Sequence, residues 1–226
     1  MAKKISIAID GPAGAGKSTI ARRLAEELGY HYVDTGAIYR TVAYFLDLLG
    51  VSPKDVDGVE RYLDELTVEI EYDETGKQHM IMNGMDVSDD IRTQDISQKA
   101  SLVSAHAIVR DMLLDMQRDV AKKHNVIMDG RDIGTVVLPR ATVKIYLTAT
   151  AEVRAQRRLD EMQAKGQQGS FKQVLADIQQ RDYQDSHRAI APLKQAKDAV
   201  LLDTSDLDID GVIAAMKKIV MEKIPL

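Results

Sequence analysis

A glycine-rich run near the start of the chain ends in a lysine and two hydroxyls. Gly11-Pro12-Ala13-Gly14-Ala15-Gly16-Lys17-Ser18 satisfies G-x-x-x-x-G-K-[ST] at every fixed position, and Thr19 follows. Glycines let backbone N–H groups curl around phosphate oxygens, where a side chain would block approach. The spacing predicts that Lys17 reaches the β- and γ-phosphates of a nucleoside triphosphate and that Ser18 puts its hydroxyl on Mg²⁺. Chance matches to this pattern occur in Gly-rich turns. Here an apolar run, Ile5-Ser6-Ile7-Ala8-Ile9, precedes it and a helical pattern follows. That is the strand, loop and helix a phosphate-binding loop requires, with the helix N-terminus adding orphan N–H groups and a positive dipole end.

Three further clusters carry chemistry. Asp129 closes the apolar run Val126-Ile127-Met128, where a phosphate-loop protein keeps an acid near the magnesium shell, reached through water. Arg131 and Asp132 leave the same strand end. They read either as turn residues or as ligand-binding groups, and their place beside a magnesium acid favours the second. Arg181, Asp185 and Arg188 lie at i, i+4 and i+7, on one helical face. On spacing alone they fit a salt-bridged surface and an anion clamp equally well. The arginines nearby, Arg154, Arg157 and Arg158, favour the clamp, because phosphoryl transfer spreads negative charge over several oxygens. Arg40, in the first turn of a helix after a strand, is placed to meet an anion; taken alone it reads as solvated surface. The five histidines show no metal-binding spacing, and the ten methionines read as core filler.

The elements that must position these groups follow from periodicity. Helices are predicted over about 17–28, from Asp34 or Thr35 to Gly50, over most of 91–124, over 151–165, from 171 to about 188, and around 212–220. Strands are predicted at 5–9, 30–33, 126–129, 143–147 and 200–202. Between Thr67 and Val87 the period changes to two, with Asn83-Gly84 as a hairpin signal. The alternation elsewhere predicts an α/β fold: a parallel sheet of P-loop NTPase type with helices on both faces, plus a small antiparallel insert.

Composition sets limits. The chain has 226 residues, 45% of them hydrophobic and 29% charged, as in ordinary globular domains. A net charge of −5 disfavours sequence-independent nucleic-acid binding. The absence of cysteine excludes disulfides and thiolate chemistry. No stretch reaches 18 consecutive apolar residues, and the basic N-terminus leads straight into the phosphate loop, so a cytoplasmic protein without a membrane span is expected.

GPAGAGKST, DTGAIYR, DVSDDIRT, DGRDIGTVV and RDYQDSHRAIAPL occur in the order and at the spacing of bacterial cytidylate kinases, and the chain resembles that family over nearly its whole length. The resemblance implies transfer of the γ-phosphoryl group of ATP to CMP or dCMP with Mg²⁺, by a monomeric cytoplasmic enzyme. It implies a core of 1–62, 93–150 and 189–226, a monophosphate-binding insert of about 63–92, and a helical lid with flanking helices over about 151–188. Residue by residue, it assigns Gly14, Gly16, Lys17 and Ser18 to ATP phosphates and magnesium. Arg40 and Arg131 fall to the acceptor phosphate, and Asp185 with Arg188 to its ribose and phosphate. Ser101, Arg110 and Asp132 fall to cytosine, and Arg157, Arg158 and Arg181 to lid and transition-state cations. Thr35 stands where relatives carry serine and keeps the hydroxyl. The base assignment is chemically consistent: cytosine offers an N4 donor to a carboxylate, and O2 and N3 acceptors to Arg or Ser. Uracil reverses that pattern, so UMP is expected to be the poorer acceptor.

Two other readings remain at this stage. One is a small-molecule kinase of the same fold with a different acceptor. The other is a nucleotide-dependent switch with no acceptor; the absence of N-K-x-D disfavours a guanine-specific one.

Overall fold

The computed structural model describes residues 4–164 and 166–224. The predicted helix end at Lys165 and the basic Met1–Lys3 segment lie outside the described residues. Five parallel strands form the main sheet: β1 (Ser6–Asp10), β2 (His31–Asp34), β6 (Val126–Gly130), β7 (Val143–Thr148) and β8 (Val200–Asp203). Their spatial order is β2-β6-β1-β7-β8. Side chains alternate between the two faces, as extended backbone demands. Ile7, Ile9, Ile127, Ile145 and Leu147 pack with α1 (Lys17–Leu28) and α8 (Ile209–Lys223) on one face. Ala8, Val33, Val126 and Met128 pack on the other with α2 (Thr35–Leu48), α4 (Gln94–Val103) and α5 (Ala107–Lys123). Ile127 is fully buried. Its truncation to alanine is expected to cost about 2–5 kcal/mol.

Strand register aligns the carboxyl ends. Ile9 pairs with Asp129 and Asp10 with Gly130, while Asp34 lies opposite Asp129. Three acids from three strands thus meet at one sheet edge, where open α/β sheets bind ligands. Asp34, not Thr35, caps α2, its side chain accepting from the Ala37 N–H at 2.8 Å.

The insert is an antiparallel ribbon of β3 (Val68–Tyr72), β4 (Gln78–Met82) and β5 (Met85–Asp86). Asn83 and Gly84 turn with φ of 48° and 80°, the left-handed pair that a tight hairpin needs. Met80 and Met82 are buried in the core beneath, so the ribbon is packed on the body. The segment 51–66, polar and helical in places by pattern, contains a short helix, α3 (Val56–Leu63), capped by Asp55. The predicted helical stretch 91–124 is broken between α4 and α5, where Ser104 caps the carboxyl end of α4. Two helices, α6 (Ala151–Ala164) and α7 (Phe171–His187), pair through a small separate core of Ala155, Leu159, Val174 and Ile178. After β6 comes a wide helical turn, Ile133–Val137, that periodicity does not reveal. It is closed by bonds from the Val137 N–H to Asp132 at 3.2 Å and from the Leu138 N–H to Ile133 at 2.7 Å.

Candidate active site

The phosphate loop joins β1 to α1. Gly11, Gly14 and Gly16 adopt φ of 152°, 73° and 83°. At Gly11 the requirement is absolute, since a Cβ would lie 1.9 Å from the Leu147 carbonyl oxygen. The Lys17 ammonium donates to the Pro12 carbonyl at 2.8 Å, folded back over the loop. Burial, and next the Arg131 charge, pull it below the ordinary lysine range. An anionic phosphate here would relieve both effects.

The loop opens into a cleft of about 270 Å³ that continues over the sheet edge to α2, α4 and α7. Ala13, Gly14, Gly16, Lys17, Ser18 and Thr19 line its donor end, whereas Gly11, Pro12 and Ala15 shape the loop from behind. Thr35, Arg40, Ser101, Arg131, Asp132, Asp185 and Arg188 line the other end, and Arg181 lies between.

Asp129 is the hub of the donor end. Its Oδ2 accepts from the Ser18 hydroxyl at 3.0 Å and its Oδ1 from the Tyr32 hydroxyl at 2.8 Å. Burial raises its carboxyl, and the neighbouring Asp34 raises it further. Thr35 donates to the Asp129 carbonyl at 2.7 Å, fixing the strand end. A hydroxyl beside a buried carboxylate is a hard-oxygen pair that fits Mg²⁺, whose shell waters and phosphate would complete. No group of three or more His, Cys, Asp or Glu side chains that could hold a metal ion occurs among the described residues.

The acceptor end is built from ion pairs. Arg131 Nε donates to Asp185 at 2.8 Å, and Arg188 to Asp132 at 3.2 Å. Asp132 also holds Arg110, which donates to the Ser104 carbonyl at 3.2 Å. Burial raises Asp132, opposed by Arg110 and Arg188. Burial acts on Asp185 in the same sense, but Arg131 and Arg181 overcome it and hold that carboxyl below its ordinary value. Arg40 pairs with Asp34 at 2.9 Å. Arg181 forms no ion pair among the described residues. Its buried Nε lacks a hydrogen-bond partner, as does that of Arg40. Burial and then Arg131 lower the Arg181 guanidinium to about 10.

Three sequence-assigned residues lie elsewhere. Arg110 stands behind Asp132 and does not border the cleft. Arg157 is turned away toward the loop after β8, donating to the Thr204 carbonyl at 2.6 Å and the Leu207 carbonyl at 3.3 Å. Arg158, partly buried on α6, pairs with Glu161 at 3.3 Å; Glu161 borders the cleft and Arg158 does not. Conversely, Tyr32 and Ser104 do work that no motif announced, and Asp34, the first residue of DTGAIYR, pairs with Arg40 as well as capping α2. Arg154 also ties the hairpin to the phosphate loop, donating to the Ala13 carbonyl at 2.9 Å and to Asp182 at 2.6 Å.

Among solved structures, an uncharacterized protein from Eubacterium ventriosum superposes with a TM-score of 0.50 at 15% identity, covering 95% of this chain and 97% of that one. At that identity the likeness concerns the fold alone. Sequence similarity reaches further. A cytidylate kinase of Lactobacillus johnsonii is 47% identical over 219 residues, 97% of this chain and 95% of the relative. One of an Exiguobacterium species is 45% identical over 222 residues, 98% and 99% of the two chains. The family profile described as cytidylate kinase matches residues 7–222, a span that runs from the first strand of the phosphate-loop unit through the last helix, so the chain belongs to the cytidylate kinase family.

Proposed function

We propose that this chain transfers the γ-phosphoryl group of ATP to CMP or dCMP, giving ADP and the diphosphate. One observation carries the reading. Lys17, Arg131, Arg181 and Arg40 crowd one cleft that opens on the phosphate loop, and Arg131 lowers the proton affinity of both Lys17 and Arg181. Cations that disfavour one another in a buried space call for a polyanion between them, and two phosphorylated substrates meeting end to end supply one.

The roles follow the geometry. The loop N–H groups, Lys17 and Thr19 hold the ATP phosphates. Ser18, and Asp129 through water, would hold Mg²⁺, which when bound neutralises charge on the β- and γ-phosphates. Arg40 and Arg131 hold the acceptor phosphate, whose oxygen is the nucleophile, so no separate strong base is needed. Arg188 and Asp185 face its ribose. Ser101 and Asp132 face cytosine, with Arg110 orienting Asp132 from behind. Arg181 lies between the two ends, where it meets charge on the transferring phosphoryl group. The ribbon serves as the monophosphate-binding insert and the α6–α7 hairpin as the lid. Arg158 joins the transferring group only by closure of that lid, whereas Arg157 anchors its root to the core. The enzyme is proposed to act as a monomer. No described helix is long and apolar enough to cross a membrane.

The test is ADP release from ATP and Mg²⁺, alone and then with CMP, dCMP, UMP, AMP and GMP. A large rise with CMP and dCMP supports the reading. A comparable rise with UMP or AMP removes the base assignment, and no rise with any acceptor removes the kinase.

A further inference from the structure

Asp10 ends β1 and is the last residue before the phosphate loop, yet its carboxylate does not point at the loop's lysine for a partner. One oxygen accepts from the Ile133 N–H and the other from the Gly134 N–H, each at 2.7 Å. These are the first donors of the Ile133–Val137 turn, which would otherwise be orphaned at its amino end. The carboxylate is 4% exposed, so both bonds form out of water, where charge-assisted bonds are strong. The turn is seated with little slack. A Cβ on Gly134 would lie 3.2 Å from Asp10 Oδ2 and 3.1 Å from Lys144 Cδ, and one on Gly130 would lie 2.6 Å from Ile133 Cδ1. Arg131 and Asp132 occupy the two positions between Gly130 and this turn.

We infer that Asp10 is a positioning residue for the acceptor, holding the turn so that Asp132 is presented to the base and Arg131 to the acceptor phosphate. The inference rests on the acceptor reading given above. It also explains why a buried acid is kept where burial pushes its carboxyl up to about 6. The ionised form is the one that accepts both N–H groups. Asparagine fits the same space but must turn its NH₂ toward one of the two donors, which replaces that bond with a donor–donor clash and leaves only the other.

Steady-state kinetics of the full chain test this, with ATP, CMP and UMP varied in turn for wild type, Asp10→Asn and Gly134→Ala. Asp10→Asn is expected to raise the KM for CMP about tenfold or more, since small misplacements at a binding group are costly. The KM for ATP should stay within about twofold, and the preference for CMP over UMP should narrow. Gly134→Ala leaves the carboxylate in place and presses the turn against it. It should move the same quantities less, and it carries the test if Asp10→Asn does not fold. A folded Asp10→Asn protein with unchanged KM for CMP and unchanged base preference overturns the inference. So does an equal rise for ATP and CMP, which would make Asp10 part of the phosphate loop's scaffold. If Asp10→Asn cannot be obtained folded, unchanged values in Gly134→Ala overturn it. A wild-type protein that phosphorylates neither CMP nor UMP instead removes the acceptor reading itself, and is seen before any variant is compared.

Discussion

The two ends of the cleft are built on different plans. The donor end is nearly contiguous: Gly11 to Thr19 form one loop and helix start, and most of them line the cleft. The acceptor end gathers side chains from α2, α4, α7 and the exit of β6, none of which can bind alone. In the first, glycine conformations do the shaping. In the second, carboxylates do: Asp185 aims Arg131, Asp132 aims Arg188 and Arg110, and Asp34 aims Arg40. A site made of backbone is as stable as its loop, whereas a site made of paired ions depends on every partner being in place. Changes at the donor end should therefore act on turnover and leave the fold alone. Changes at the acceptor end should act on acceptor binding and stability together.

The largest effect should come from Lys17→Ala. It removes a positive charge next to the transferring phosphoryl group and is expected to lower kcat about 100- to 1000-fold. Circular dichroism and thermal melting should stay near wild type, because among the described residues the ammonium's one hydrogen-bond partner is the Pro12 carbonyl of its own loop. Near-normal turnover would break the donor assignment.

Asp132→Ala should come next and differ in kind. The KM for CMP should rise about tenfold to 100-fold while that for ATP changes little. The protein should also lose about 3–5 kcal/mol by chemical denaturation, because Arg110 and Arg188 are left buried without their carboxylate. Equal changes in both KM values would show that Asp132 does not read the base.

A smaller effect tests whether the donor end is wholly local. Tyr32→Phe removes the hydroxyl that orients Asp129 from β2, 97 residues away in sequence. Groups that orient a metal-binding carboxylate matter less than the carboxylate, and a fall of about tenfold in apparent Mg²⁺ affinity is expected in a Mg²⁺ titration of activity. No change would mean that the Ser18–Asp129 contact suffices and that the donor end stands alone.

This contrast also sets what could be read from residues alone. The phosphate loop was legible because its function needs only adjacent residues. The sheet was legible because Ile7, Ile9, Val126 and Met128 form runs that only buried parallel strands tolerate. Asp129 was legible as an acid closing such a run, and Asp10 carries the same signal in Ile-Ala-Ile-Asp-Gly. Its partner, the Ile133–Val137 turn, depends on a contact 123 residues distant. Arg157 illustrates the opposite limit. As one of several neighbouring arginines, and by the resemblance, it was expected among the lid and transition-state cations, but the carbonyls of Thr204 and Leu207 come from the far end of the chain and claim it. Tyr32 gave no signal because a tyrosine within an apolar strand looks like core.

The smallest predicted effect concerns the ribbon, which lies outside the cleft and meets the acceptor end through Asp34. Gln78 of β4 grips Asp34, accepting from its N–H at 2.7 Å, so the ribbon steadies the residue that aims Arg40. The ribbon is itself clasped by His79, which meets Asp86 at 2.7 Å and Asp73 at 3.3 Å. Those carboxylates raise the imidazole above its ordinary value, Asp86 acting most. Hydrogen bonds from Ser88 lower Asp86 to about 2. The His79 contribution is thus complete below about pH 6.5 and is lost as pH rises through the raised value. That of Asp86 is complete above about pH 4 and is lost as pH falls toward 2. The clasp should be tightest between those limits. Protection factors for amide exchange of residues 78–86, corrected for the intrinsic pH dependence of exchange, should be highest there in wild type, and His79→Gln should abolish the alkaline limb. Because the contacts are exposed, each is worth little, and the KM for CMP should rise less than about threefold in the variant. If the variant instead raises the KM for ATP, the ribbon is coupled to the phosphate loop, and the two ends of the cleft are less independent than their construction implies.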